Sequence, residues 1–351
     1  MKKLVIVSTE IDGGMGGIST ALQGYRNGLN IHDVDIIAVS SHREDRRVLW
    51  NWLSAFWQVA KLAYRYRGGE AVFWFHLGPW LSSARKFTMA VVARLFGCMT
   101  LGHVHSPTYN DDLEAGGIRK ALLKMGLSPY SKLVVLTPWW KKRLNEHGIN
   151  KPMIVSANPS CEEYTDIARE FSNVALSAQS TDSLTIVTMA RLMKGKGVEL
   201  VIEAMAKLPA NFNLIVAGDG PFKDELMAMT KSLELDHRIS FAGWIDGQQK
   251  EQLLRDADIF CLPSTYESFG MVFIEAMAFN LPVVAYGWGP IKDVVTPDVG
   301  VACENATAQD VEQALISIGN QLPVYHGCGP KRVLDFYTAE AVTKNIIELL
   351  D

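Results

Sequence analysis

Ten short apolar runs of three to seven residues alternate with helical or mixed stretches along this 351-residue chain. Residues 4–7, 35–39, 71–75, 99–105 and 132–136 carry the strand signal in the first half, and 184–189, 213–217, 239–241, 258–262 and 282–285 carry it in the second. Strands that alternate with helices predict parallel sheets covered on both faces, the doubly wound α/β class. The length exceeds the roughly 250–300 residues at which one core splits, and 48% apolar content fills two. We expect a Rossmann-like domain over 1–165, a helix end and Ala/Ser/Thr-rich linker over 166–183, a second Rossmann-like domain over 184–332 and an amphipathic helix over 333–351.

The most informative local feature is a strand-to-helix junction. After the apolar run 258–263 comes Ser264-Thr-Tyr-Glu267-Ser-Phe-Gly-Met-Val-Phe-Ile-Glu275. Glu267 falls in the turn and Glu275 in the helix, so both carboxylates can face one crevice. Backbone N–H groups of Phe269, Gly270, Met271 and Val272 at the helix start suit an anion. Hydroxyl-reading acids beside an anion site suggest a phosphorylated, hydroxyl-rich ligand.

Two further loops bear on such a ligand. Arg191 and Lys196, in Ala190-Arg-Leu-Met-Lys-Gly-Lys196-Gly197, follow the first strand of the second half and can clamp a diphosphate; a solvated charged loop is the equal alternative. Gly13-Gly-Met-Gly16-Gly17 follows the first strand of the chain and reads either as a close-approach phosphate loop or as a tight turn. It does not fit the dinucleotide fingerprint, which disfavours a dehydrogenase.

These residues, with Ala217-Gly-Asp-Gly-Pro221, Phe241-Ala-Gly243 and the Pro282-Val-Val segment, resemble the retaining glycosyltransferases of family 4, or glycosyl transferases group 1. The likeness runs in order over nearly the whole chain and is more specific in the second half. It implies a GT-B fold, two Rossmann-like domains facing a central cleft, with the C-terminal helix crossing back to the first. It also implies transfer from a UDP- or GDP-sugar to a growing glycan or lipid-linked acceptor. In that reading Arg191 and Lys196 neutralise the donor diphosphate, and Glu275 binds ribose hydroxyls. Glu267, with the backbone of Phe269, Gly270 and Met271, holds the sugar. Gly16 and Gly17 approach from the other domain, Gly243 and Trp244 lie near the base, and His105 contacts the sugar near its 6-hydroxyl. His103 is read as a packing histidine, and His76, at another strand end facing the cleft, equally as a site residue or a satisfied structural histidine.

The sequence departs from the family pattern at Asn280, where glycine is usual, and at Asp293, where glutamate is usual. Asn tolerates the left-handed cap that ends a helix. No metal or cofactor is expected: Asp33-Val-Asp35 precedes a strand far from the donor motifs and reads as a strand-entry turn, and no other cluster has ligand spacing. A sugar-nucleotide epimerase of the same architecture and a non-catalytic nucleotide-sugar binder are the rival classes.

Charge is divided unevenly. Residues 1–160 hold 20 Lys and Arg against 11 Asp and Glu, whereas 161–351 hold 14 against 27, for a net −4. Two aromatic-basic segments, 43–67 and 138–143, lie in the basic half. They suggest a cytoplasmic enzyme, peripheral on the inner face of an anionic membrane, that builds lipopolysaccharide or another polysaccharide and does not bind nucleic acid. A helix packed inward with a basic outer face is the alternative for 43–67. The five cysteines show no paired spacing, which fits a reducing compartment.

Overall fold

The computed structural model describes residues 3–9, 17–32, 34–42, 48–173 and 183–350. They form two compact units, Met1–Cys161 with Phe336–Asp351 and Glu162–Asp335. Each is built on a six-stranded sheet whose strands all run parallel, as the alternation predicts.

The first unit runs β1 (Lys3–Thr9), α1 (Gly17–Ile31), β2 (Ile36–His42), α2 (Val48–Arg65), β3 (Ala71–Leu77), α3 (Trp80–Leu95), β4 (Met99–Val104), α4 (Thr108–Ala115), α5 (Gly117–Leu127), β5 (Lys132–Val135), α6 (Pro138–Glu146) and β6 (Met153–Val155). The spatial order is β2-β1-β3-β4-β5-β6. Parallel crossovers are right-handed, so the step from β1 to β2 puts α1 on one face, and the opposite steps put α2, α3 and α5 on the other.

The second unit runs α7 (Glu162–Ser172), β7 (Leu184–Met189), α8 (Val198–Met205), β8 (Phe212–Ala217), α9 (Lys223–Ser232), β9 (Ile239–Gly243), α10 (Gly247–Arg255), β10 (Ile259–Leu262), α11 (Met271–Ala278), β11 (Val283–Tyr286), α12 (Ile291–Val294), β12 (Gly300–Cys303), α13 (Ala308–Gly319), α14 (Leu322–Tyr325) and α15 (Cys328–Phe336). Its order is β12-β11-β10-β7-β8-β9. Strands β7 and β10 are therefore neighbours although about seventy residues separate them, and this pairing assembles the site.

The chain closes with α16 (Ala339–Ile347), which packs on α1 in the first unit. Its Val342 and Ile346 join Leu4, Ile6, Leu22, Tyr25, Leu29 and Trp74 in one apolar cluster. The single helix expected over 333–351 is divided between α15, which ends at Phe336, and α16, which starts at Ala339 with Thr338 as its cap. The helix end expected ahead of the linker is α7, which runs to Ser172, buries Ile167 and Ala168 and packs on α11 in the second unit. The short edge strands β6 and β12 carried too little apolar periodicity to be seen.

Candidate active site

The chemistry-bearing residues of the second unit gather where β7 and β10 end. The loop leaving β7 carries Lys196 between Gly195 and Gly197. Gly197 has φ +76°, and a Cβ there would lie 2.4 Å from the carbonyl oxygen of Pro263, so no side chain fits. The carbonyl of Gly195 accepts hydrogen bonds from Thr265 N at 2.9 Å and Thr265 Oγ1 at 3.1 Å. The loop after β7 is thus fastened along the loop after β10. As a result Lys196 Nζ sits 2.5 Å from Glu267 Oε1, with 20% and 17% of the two side chains exposed. Arg191, expected beside Lys196, stands exposed on the same loop with no ion pair among the described residues.

Past Glu267 the chain turns through Gly270, φ +81°, into α11. Glu275 sits one turn inside that helix, and its Oε2 lies 2.7 Å from Nζ of Lys250 on α10. Burial works against a charged Lys250, but Glu275 and Tyr164 outweigh it and hold the ammonium above its ordinary range. Nζ also lies 5.2 Å from the Tyr164 ring centroid. Each acid of the pair thus has its own cation. Nothing in the sequence marks Lys250, which reads as one polar residue of the helix Gly247–Arg255.

The remaining expectations divide. Phe269 is buried in the core, so only its backbone can meet a ligand, whereas Met271 is half-buried at the helix start. Gly243 accepts a 2.6 Å hydrogen bond from Gly218 N, which ties the Ala217-Gly-Asp-Gly and Phe241-Ala-Gly motifs together. Trp244 follows with 65% of its surface exposed, a flat platform at the end of β9. Asn280 adopts φ +63°, as its place in the family pattern requires, and its Oδ1 accepts from Gly327 N at 2.7 Å. Gly17 opens α1, and Gly16 lies outside the described residues. Asp33 lies outside them too, while Asp35 pairs with Lys3 at the mouth of β1, as a strand-entry turn would.

In the first unit, His76 on β3 stands in register with His103 on β4, and His105 follows two residues on. Strand alternation sets His76 and His103 at the C-terminal ends of the rows begun by Trp74 and Leu101. Their ligand-capable atoms and that of His105 lie within 4.8 Å of one another, a convergence that the sequence separation concealed. His76 Nδ1 is 2.9 Å from His105 Nε2, and His103 stacks on Trp74 with ring centroids 5.5 Å apart. All three are buried, and burial lowers each pKa, that of His105 to about 3. Nearby Lys86 is also buried, which depresses its pKa to about 7. The rings are therefore neutral. Three imidazole nitrogens suit a divalent metal by chemistry, but an amine within electrostatic reach of His76 and His105 opposes a dication there. Among the described residues His76 Nε2, His105 Nδ1 and both ring nitrogens of His103 have no hydrogen-bond partner.

Residues 174–329 match the family of glycosyl transferases group 1. That segment belongs to this family. It spans most of the second unit, including Arg191, Lys196, Lys250, Glu267 and Glu275. An uncharacterized glycosyltransferase of Methanocaldococcus jannaschii is 33% identical over 165 residues, covering 46% of this chain and 40% of that protein. The GPI3 subunit of phosphatidylinositol N-acetylglucosaminyltransferase from Saccharomyces cerevisiae is 26% identical over 226 residues, covering 63% and 50%. The chain spans about half the length of these curated relatives or less. Among solved structures, Anabaena HepE in complex with UDP superposes with a TM-score of 0.71 at 16% identity over 99% of both chains. The fold is GT-B, as the resemblance implied.

Proposed function

We propose that the protein is a metal-independent, retaining glycosyltransferase that moves a hexosyl group from a nucleotide diphosphate sugar to a growing glycan or lipid-linked acceptor, in lipopolysaccharide or other polysaccharide synthesis. The observation that carries this reading is the pairing of Lys196 with Glu267 at 2.5 Å, fixed by two loops from neighbouring strands. Lys196 has three donors and Glu267 two acceptor oxygens. Lys196, together with Arg191, receives the charge that grows on the diphosphate as the glycosidic bond breaks, and Glu267 holds a sugar hydroxyl beside it. The leaving phosphate oxygen takes the acceptor proton on the same face, so no enzymic nucleophile is needed. Glu275 binds the ribose diol through Oε1, since Oε2 is engaged by Lys250. The neutral His105 and His76 offer a nitrogen to a sugar hydroxyl, and Trp244 offers its face to the base.

Two relatives support the substrate classes. HepE was solved with UDP, and GPI3 is named for transfer to phosphatidylinositol. Incubation with UDP- and GDP-sugars and a mixture of lipid-linked acceptors should yield a glycosylated acceptor by mass spectrometry, with an anomeric configuration by NMR that matches the donor. An altered nucleotide sugar formed without acceptor would assign the protein as an epimerase instead. Lys196→Ala should lower kcat/KM by about 30- to 1,000-fold, roughly 2–4 kcal/mol of transition-state stabilisation. Turnover equal to the parent's would remove Lys196 from the mechanism.

A further inference from the structure

We propose that the outer face of the α2, α3 and α5 layer docks onto an anionic lipid bilayer. These helices share one face of the first sheet, and α3 packs between α2 and α5. Their 18, 16 and 11 residues include eight Lys or Arg and no Asp or Glu; Lys86 is buried and Arg119 is paired with Asp112 of α4, which leaves six for the outer face. A helix layer whose only role is to cover a sheet gains from charges of both signs, through i,i+4 pairs and solubility. One sign over three adjacent helices points instead to an anionic partner.

The apolar residues of the layer select the partner. On α2, Trp50, Trp57 and Tyr64 recur every seven residues, which is one helix face, and they are 72%, 64% and 59% exposed. The inward face of the same helix buries Ala55, Val59 and Ala63, so the aromatic stripe contributes nothing to the core. Leu95 at the end of α3, with Ile118 and Met125 on α5, is exposed as well. Lys61, Arg65 and Arg67 flank the stripe, and the Arg67 guanidinium lies 4.9 Å from the Tyr64 ring centroid. Exposed Trp and Tyr bordered by long basic side chains suit the bilayer interface, where rings enter the headgroup layer and ammonium and guanidinium groups reach phosphate. A protein interface of this size is depleted in lysine and sets acids against bases. The second aromatic-basic segment, 138–143, is no part of the surface, because Trp140 is buried, Trp139 half-buried and Arg143 paired with Glu114 and Glu146. The proposal rests on no part of the donor-site reading.

Cosedimentation of the purified full chain with vesicles tests it, using phosphatidylcholine alone and phosphatidylcholine mixed with phosphatidylglycerol. We expect binding to the mixed vesicles only, weakening as salt rises. Trp50→Ala with Trp57→Ala, and separately Lys61→Glu with Arg65→Glu, should each lower the partition coefficient about tenfold or more, because each basic residue contributes roughly a fivefold factor at such a surface. Melting temperatures equal to the parent's will show that the exposed substitutions leave the fold intact. No binding to the mixed vesicles at low salt overturns the proposal, as does binding that both double variants retain. If the parent is a dimer that the Trp variant dissociates, and neither binds vesicles, the stripe is a self-association surface and the proposal fails.

Discussion

Lys250 touches Glu275, so in the proposed site its effect on the donor is indirect and can be separated from that of Lys196. Removing its ammonium leaves a carboxylate that is only 15% exposed without its cation. Lys250→Met should weaken UDP about tenfold by calorimetry and narrow the preference for UDP over 2′-deoxy-UDP, while Lys250→Arg keeps both. A variant that loses affinity without losing the ribose preference would show a merely structural role. The buried histidines act on stability. The folded state holds them neutral, with pKa values below the unfolded 6.5, so their contribution is complete above pH 6.5 and is lost as the unfolded chain takes up protons below it. At pH 5 the loss approaches about 2 kcal/mol per histidine. The melting temperature should therefore fall steeply from pH 7 to 5, and His103→Gln should flatten that slope.

At the scale of elements, the site depends on two loops held together by backbone. A Cβ on Gly197 meets a carbonyl oxygen rather than a flexible side chain, so the loop must move as a unit. Gly197→Ala should cost at least 1 kcal/mol in chemical denaturation and reduce kcat/KM nearly as far as Lys196→Ala, because the lysine is carried away from Glu267. Unchanged kinetics would mean that the loop's position does not matter to catalysis. The elements themselves were largely legible. Central strands such as Ala71–Leu77, buried along their full length, announce themselves as apolar runs, and Asn280 was placed at a left-handed cap through the family pattern, where glycine is usual. Edge strands β6 and β12 were not legible, since three or four residues at a sheet edge carry little pattern. The start of helix α7 at Glu162 was not legible, because its buried stripe is short and adjoins an Ala/Ser-rich stretch.

Across the whole molecule, the last sixteen residues belong to the core of the first unit. Val342, Ile346 and Leu350 complete the cluster around Trp74 and Tyr25, and a Cβ on Gly28 would lie 2.3 Å from the Ala339 carbonyl oxygen, so α1 and α16 are in close backbone contact. Deleting 336–351 should open that cluster and leave the first unit unfolded or aggregated, because losing each buried aliphatic side chain costs about 2–5 kcal/mol. Circular dichroism and hydrogen exchange would show the loss in the first unit, with the second sheet still protected. A cooperative first unit surviving the deletion would refute this account.

The alternation of short apolar runs with helices settled the fold class, because parallel strands buried on both faces cannot carry an alternating pattern and must be joined by crossover helices. Local chemistry singled out Glu267 and Glu275 and left Arg191 and Lys196 open between a diphosphate clamp and a solvated loop; the family resemblance grouped the four. What only the tertiary structure decided was pairing. Lys196 meets Glu267 because β7 and β10 are neighbours in the sheet, Lys250 meets Glu275 because α10 and α11 approach, and His76 joins His103 and His105 through strand register. The aromatic stripe of α2 faces outward for the same kind of reason. A helix sequence with two apolar faces does not say which one the sheet will cover; the packing of Val59 and Ala63 against the core does.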